Sequence, residues 1–477
     1  MSAMTPRPVA SPANVPAKEP HTKDAAAPES FDTYFARIVR RAPILVGIAL
    51  AFFIIRQFGT RAGPVLLIGA SFPLILLSAV RPEVGLYALV LNFVNEFDSY
   101  YGLQQYFPIS LPILYDTAIG IGILFILAGG RRRLQTSYAH LWVLAAYVAL
   151  VVFSVLASQV AEPDLWAQFR TQFLIRPIFF VFLVMIIADR QQLYRLLVVF
   201  LIAHTLLMTS AMSDYLQKGV ALYRVRGTLT ATNYLSYVCI ATLPILISLY
   251  AYLRDRLARY AMLGLAFVTL FVSLQTLSRS GYYSLMATLG FLAVRFIQKP
   301  RTLAMALAFL AVFYVLVPEA LTRRLEEVED VTQTSRYYLS RIAWRMAADN
   351  PLLGVGAHAY EEMFPRYDFE LLYGKTKAPH NLYLAIAAQS GFPALAAYLA
   401  LFGFTFFQLT RIDIEHRRHR ETREFDFFLT VGVESALIGH FVFGLAGSYG
   451  DSYYAYLLLG IAVILVRLQR APSAEPR

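Results

Sequence analysis

Long apolar runs separated by short polar breaks dominate the chain. Their lengths approach the ~20 residues a helix needs to cross ~30 Å of hydrocarbon. Runs at 43–56, 62–80, 84–96, 110–129, 139–157, 172–188, 193–212, 234–252, 258–276, 281–297, 302–317, 383–409, 427–446 and 453–467 predict about fourteen spans. The first and third are short enough to be re-entrant, which lowers the count to about twelve. Backbone polar groups find no water inside a bilayer, so such runs have to be helices. The pattern therefore predicts an all-α polytopic integral membrane protein of about 12–14 transmembrane helices.

One long polar stretch breaks this rhythm, from Pro318 to His380. Five segments follow: a disordered cytoplasmic tail over 1–40, transmembrane helices over 41–317, a large outward-facing loop over 318–382, transmembrane helices over 383–467, and a cytoplasmic tail over 468–477. The first 40 residues are rich in Pro, Ala, Lys, Glu and Ser without periodicity, the mark of a segment that buries too little to fold. They lack the apolar core and small-residue site of a signal peptide. Inside the large loop, TSRYYLSRIAWRMAADNP reads as an amphipathic helix. Tyr338, Ile342, Ala343 and Met346 share one face, and the helix should stop at Asn350-Pro351.

Composition agrees with a membrane protein. Charged residues make up 15% of the chain, against ~25% in soluble domains. The net charge of +11 comes from short basic clusters between apolar runs, which argues for helix orientation rather than nucleic-acid binding. Arg131 to Arg133, Arg254, Arg256, Arg259, the Arg411–Arg423 segment, Arg467 and Arg470 all fall on one side. By the positive-inside rule that side is cytoplasmic, both termini lie there, and the large loop faces outward. The single cysteine, Cys239, permits no intrachain disulfide.

Three polar sites fall on the outward side. YRVRGTLTATNYL carries Arg224, Arg226, Gly227 and Asn233; LQTLSRSGYYSL carries Ser278, Arg279, Ser280 and Gly281; APHNLYL carries His380 and Asn381. An arginine between two apolar spans, on the side poor in basic residues, is costly without a partner. Its planar fork suits bidentate phosphate binding, and the flanking serines and glycine add donors. Arg226 could equally be an ordinary loop charge, Arg224 more so, and Arg341 a solvated helix charge. Imidazole is the side chain titrating nearest neutrality, so His380 at a helix start can serve as a base. Nothing outward has metal-ligand spacing. The acidic run Glu326, Glu327, Glu329 and Asp330 reads as a solvated face.

Taken together, R-G-T-x-x-x-x-N, L-S-R-S-G, S-R-I-A-W, N-P-L-L-G-V-G and H-N-L-Y-L-x-x-x-x-x-S-G, across about residues 220–400, resemble the O-antigen ligase and O-antigen polymerase superfamily of bacterial membrane glycosyltransferases. The resemblance implies a periplasm-facing enzyme of the inner membrane, working on undecaprenyl-pyrophosphate glycan without metal or other cofactor. It implies Arg226 and Arg279 as pyrophosphate ligands, His380 as base on the acceptor hydroxyl, and inversion at the anomeric centre. Ser278, Ser280, Gly227, Asn233, Arg341 and Asn381 are the expected substrate-binding residues. Lipid A–core is the expected acceptor. A polymerase and a protein O-glycosylation ligase stay open as alternatives, and a polysaccharide or lipid transporter as a reading from another class. Expected partners are the lipid-linked donor, the glycan acceptor and membrane lipids, with no nucleic acid.

Overall fold

The computed structural model describes residues 29–40, 62–105, 109–129, 138–158, 160, 175–218, 224–296, 330–368, 378–418, 425–447, 449 and 452–470. Among them the secondary structure is helical, with no strand. The helices are α1 Phe31–Arg40, α2 Ala62–Ser78, α3 Pro82–Asn95, α4 Phe97–Tyr100, α5 Leu111–Ala128, α6 Tyr138–Leu156, α7 Ile175–Ile186, α8 Arg190–Lys218, α9 Thr232–Tyr252, α10 Arg256–Gln275, α11 Arg279–Phe296, α12 Asp330–Asp349, α13 Tyr360–Tyr367, α14 Leu382–Arg418, α15 Phe425–Gly444 and α16 Tyr453–Arg470.

Eight of these described helices are long and apolar enough to cross a bilayer: α5, α6, α8, α9, α10, α14, α15 and α16. The expected spans at 62–80, 84–96, 172–188 and 281–297 are the helices α2, α3, α7 and α11. The expected spans at 43–56 and 302–317 lie outside the described residues. The chain is a polytopic α-helical membrane protein.

The segment expected to be disordered over 1–40 needs a correction at its end. Residues 31–40 fold as α1, because Phe31, Phe35, Ala36 and Val39 form one apolar stripe at helical spacing. That stripe is buried, with Phe31 against Phe425 (4.7 Å between centroids) and Tyr194 (5.3 Å). Asp32 accepts the backbone N–H of Arg254 at 2.9 Å, and Arg40 pairs with Asp255 at 2.8 Å. Residues 1–28 lie outside the described set.

Helix ends sort onto two faces. On the face holding the basic clusters, Arg295 bridges Asp413 (3.0 Å) and Glu434 (3.3 Å), while Arg417 holds Asp413 at 2.9 Å. Both acids are fully buried, so this network fastens α11, α14 and α15 together. A buried acid left without its arginine would be costly there. The other face carries the large loop.

That loop is docked by a break in α14. Gly391 sits at φ 82°, ψ 170°, a region open in practice only to glycine, and Pro393 two residues on supplies no N–H. The carbonyls of Ala388 and Gln389 therefore lose their helical donors. The loop segment Pro351–Gly356 replaces them: Val355 N–H donates to Ala388 O at 2.9 Å and Gly356 N–H to Gln389 O at 3.1 Å. Phe392 N–H in turn donates to Pro351 O at 2.9 Å. Ser154 of α6 adds its hydroxyl to Gln389 O at 2.6 Å. A Cβ on Gly391 would fall on the Leu352 carbonyl, and one on Gly354 on the Gln389 backbone. α12 stops at Asn350-Pro351 as its sequence predicts. It packs Tyr338, Leu339, Ile342, Ala343 and Met346 on Tyr360, Met363, Phe364 and Ala388 in a small core of the loop's own.

Gly391→Ala should therefore cost about 1–3 kcal/mol from backbone strain alone, with the clash adding to it. Gly403→Ala, in the same helix with nothing within 4 Å of the added methyl, should be neutral or stabilising by up to ~1 kcal/mol. Melting temperatures of the two variants in detergent check this pair. Equal melting of both would remove the latch.

Candidate active site

The turn between α10 and α11 is built before it is charged. Leu277 adopts φ 50°, reversing the chain, and Ser278 caps α11 by accepting Gly281 N–H at 3.2 Å. The Ser278 and Ser280 hydroxyls lie 3.2 Å apart, and both residues are buried. Gly281 has no room for a side chain, since a Cβ would meet the Ser236 hydroxyl of α9. α11 thus starts tight against α9, with half-buried Arg279 as its first residue. The serines expected to bind substrate are engaged at this start, where they fix the position of Arg279.

The Arg226 loop is fastened at three points. Asp214 at the end of α8 accepts the N–H groups of Arg226 (3.2 Å) and Gly227 (3.3 Å). Gly227 takes φ +62° with Ala211 backbone beside it, so the turn requires glycine. Glu96 accepts Thr230 N–H at 2.7 Å. The guanidinium of Arg226 is exposed. Asn233, expected on substrate, instead receives Arg224 on its Oδ1 at 2.6 Å. Arg224 also donates to Thr276 O at 2.9 Å, stitching this loop to the α10–α11 turn. Arg224, read from sequence as an ordinary charge, is a latch.

His380 is exposed, at φ 50°, two residues before the first residue of α14 rather than in its first turn. Asn381 is the cap: its Oδ1 accepts Leu384 N–H at 3.0 Å, and its Nδ2 donates to Leu445 O at 3.1 Å. Leu445 follows α15, and Tyr449 beyond it packs on Tyr234 of α9 at 5.3 Å. A continuous set of contacts therefore joins His380, through α15 and α9, to the loops of Arg226 and Arg279. Arg341 lies half-buried on α12 with its guanidinium 5.9 Å from the Tyr337 ring.

The sequence reading missed two features. Arg336, on the first described turns of α12, comes close enough to Arg279 for the charges to interact. Burial first, and the Arg279 charge second, lower its pKa. Its signal was the S-R pair at 335–336, five residues ahead of the one chosen. Two like charges brought together beside a helix N-terminus make an anion site. The second feature is a half-buried set around Arg176, the second residue of α7. Burial raises the Glu96 carboxyl, opposed by the Thr230 N–H and by Arg176. Burial, aided by Arg176, holds His358 down at about 4. His358 also sits at φ 69° with its N–H on Gln389 Oε1 at 2.9 Å. Among the described residues no three His, Cys, Asp or Glu are grouped to hold a metal ion. Glu326, Glu327 and Glu329 lie outside them.

Residues 264–399 match the family described as O-Antigen ligase, a stretch that runs from the second half of α10 through α11 and the loop into α14. A search of curated proteins found no match.

His358 generates a pH prediction. Its folded pKa of about 4 lies below the ~6.5 of free histidine. The unfolded chain therefore binds a proton between those values while the folded one does not, and stability must fall as pH drops from 6.5 to 4. Asparagine tolerates positive φ and does not titrate. His358→Asn should flatten the fall in melting temperature across that window relative to wild type; parallel curves would refute the assignment.

Proposed function

We propose, for a chain whose residues 264–399 match the family described as O-Antigen ligase, a metal-independent inverting glycosyl transfer at the periplasmic face of the bacterial inner membrane. The donor is a glycan on undecaprenyl pyrophosphate, and the acceptor hydroxyl belongs to lipid A–core. The observation that carries this reading is the family match over residues 264–399, the stretch that holds Arg279, Arg336, Arg341 and His380.

In this reading Arg279 and Arg226 hold the pyrophosphate, with Arg336 beside Arg279 and Arg341 on the same helix. Guanidinium groups placed around the pyrophosphate stabilise the negative charge that grows on it as it leaves. They do the work a divalent ion does elsewhere. His380 takes the proton from the acceptor hydroxyl, and attack opposite the departing phosphate inverts the anomeric carbon. Its exposure leaves it open to an incoming acceptor. The basic clusters of the opposite face keep both termini cytoplasmic in this arrangement. The glycan-bearing face is then the outward one.

The test incubates purified protein with undecaprenyl-pyrophosphate glycan and either lipid A–core or a second glycan-lipid. Product on lipid A–core supports the ligase, while product on the second glycan-lipid assigns a polymerase instead. His380→Ala should lower turnover by about 10²–10⁴-fold with donor binding retained. Wild-type turnover would remove His380 as base. Arg279→Lys should bind donor poorly, since ammonium lacks the bidentate fork. Product yield should also survive excess EDTA; a loss restored by Mg²⁺ or Mn²⁺ would overturn the metal-free mechanism.

A further inference from the structure

Asp116 has no part in the chemistry above, yet it is placed at considerable cost. It is the sixth residue of α5, about 8 Å along the helix axis from the end nearer the large loop. Its side chain is 9% exposed, and neither carboxylate oxygen has a hydrogen-bond partner among the described residues. An acid in a membrane span without partners is expensive and marks a working position.

The surroundings indicate what could satisfy it. Tyr453, the first residue of α16, lies within electrostatic reach of Asp116, Asp98 and Arg176. Its ring stacks on Phe93 at 5.2 Å, and the Arg176 guanidinium stands 5.9 Å from its centroid. Glu96, which Arg176 also reaches, anchors the Arg226 loop through Thr230. The set is therefore contiguous with the donor side of the proposed active site. Three carboxyls to one arginine leave a second phosphate little positive charge to bind. Aromatic faces beside the unpartnered Asp116 carboxyl suit a neutral, hydroxyl-rich ring: its hydroxyls supply the missing donors and the ring covers the aromatics.

We infer that Asp116, with Tyr453 and Asp98, forms a saccharide subsite that selects a sugar ring of the transferred or accepting glycan. The inference rests on the glycosyl-transfer reading. Asp116 acts here in binding and not in catalysis. The same chemistry could come from the donor glycan or from the acceptor, so both are tested.

The probes are bare undecaprenyl pyrophosphate, a panel of undecaprenyl pyrophosphates each bearing one hexose or N-acetylhexosamine, and lipid A–core. Affinities are measured on the purified full chain for wild type, Asp116→Asn, Asp116→Leu, Tyr453→Phe and Arg279→Lys. Wild type should bind at least one sugar-bearing probe about tenfold or more tighter than its sugar-free counterpart, a charged hydrogen bond's worth. Asp116→Asn and Asp116→Leu should erase that preference while binding bare undecaprenyl pyrophosphate within about twofold of wild type. Loss on a donor probe assigns the donor glycan; loss on lipid A–core assigns the acceptor. Asp116→Leu should melt no lower than wild type, since it removes a buried unsatisfied acid. A lower melting temperature with unchanged sugar preference would make Asp116 a structural residue and overturn the proposal. So would the absence of any sugar preference in wild type, or its survival in all three subsite variants. If Arg279→Lys binds bare undecaprenyl pyrophosphate as wild type does, the donor-arginine reading fails independently of this subsite.

Discussion

The large loop is held in register by the carbonyls that Gly391 and Pro393 set free. In hydrocarbon a backbone carbonyl without a donor costs several kcal/mol, so a broken helix at that depth needs outside N–H groups. Val355 and Gly356 provide them, and Phe392 returns one to Pro351. Glycines at 354, 356 and 391 let two backbones approach this closely. Through this exchange α12 takes up its place against α14, carrying Arg336 to Arg279. The motif N-P-L-L-G-V-G thus performs a mechanical task, and the S-G of the histidine motif is the other half of the same joint.

A second constraint follows from the first. Arg279, Arg226 and His380 stand on separate loops, and each loop is secured by neighbouring groups. Arg279 is set by the Ser278 cap and the tight Gly281 crossing, Arg226 by Asp214 and Glu96, His380 by Asn381 on Leu445. Each fastening uses polar groups of its neighbours, with Arg226 and His380 exposed and Arg279 half-buried. Such a division suits a bulky, lipid-anchored substrate, because the contacts that fix the site do not have to be remade when it arrives.

The helices were legible because run length and the prohibition on unsatisfied backbone in lipid leave little choice. α12 was legible because Tyr338, Ile342 and Met346 keep a helical period and Asn350-Pro351 ends it. Three things were not. α1 is only ten residues long, and its stripe gains meaning only against Tyr194 and Phe425, far away in sequence. The tie between Arg224 and Asn233 was also hidden, since spacing cannot say whether a donor faces its neighbour or a substrate. Arg336 was passed over for Arg341 because a charge on an amphipathic helix shows its partner only once the helix is docked.

The same reasoning explains why the N-terminal third gave no chemical signal. Glu96, Asp98, Asp116 and Arg176 are spread over α3 to α7 and their connections, with no shared motif. Tyr453 joins them from near the other end of the chain. A recognisable sequence motif forms when one short segment must supply several groups at fixed spacing, as the α10–α11 turn does for Arg279. Groups that converge from five elements leave no spacing to read. The half of the chain that carries motifs is the half in which one segment supplies several groups. The other half is assembled from scattered residues, each free to change without disturbing a neighbour in sequence.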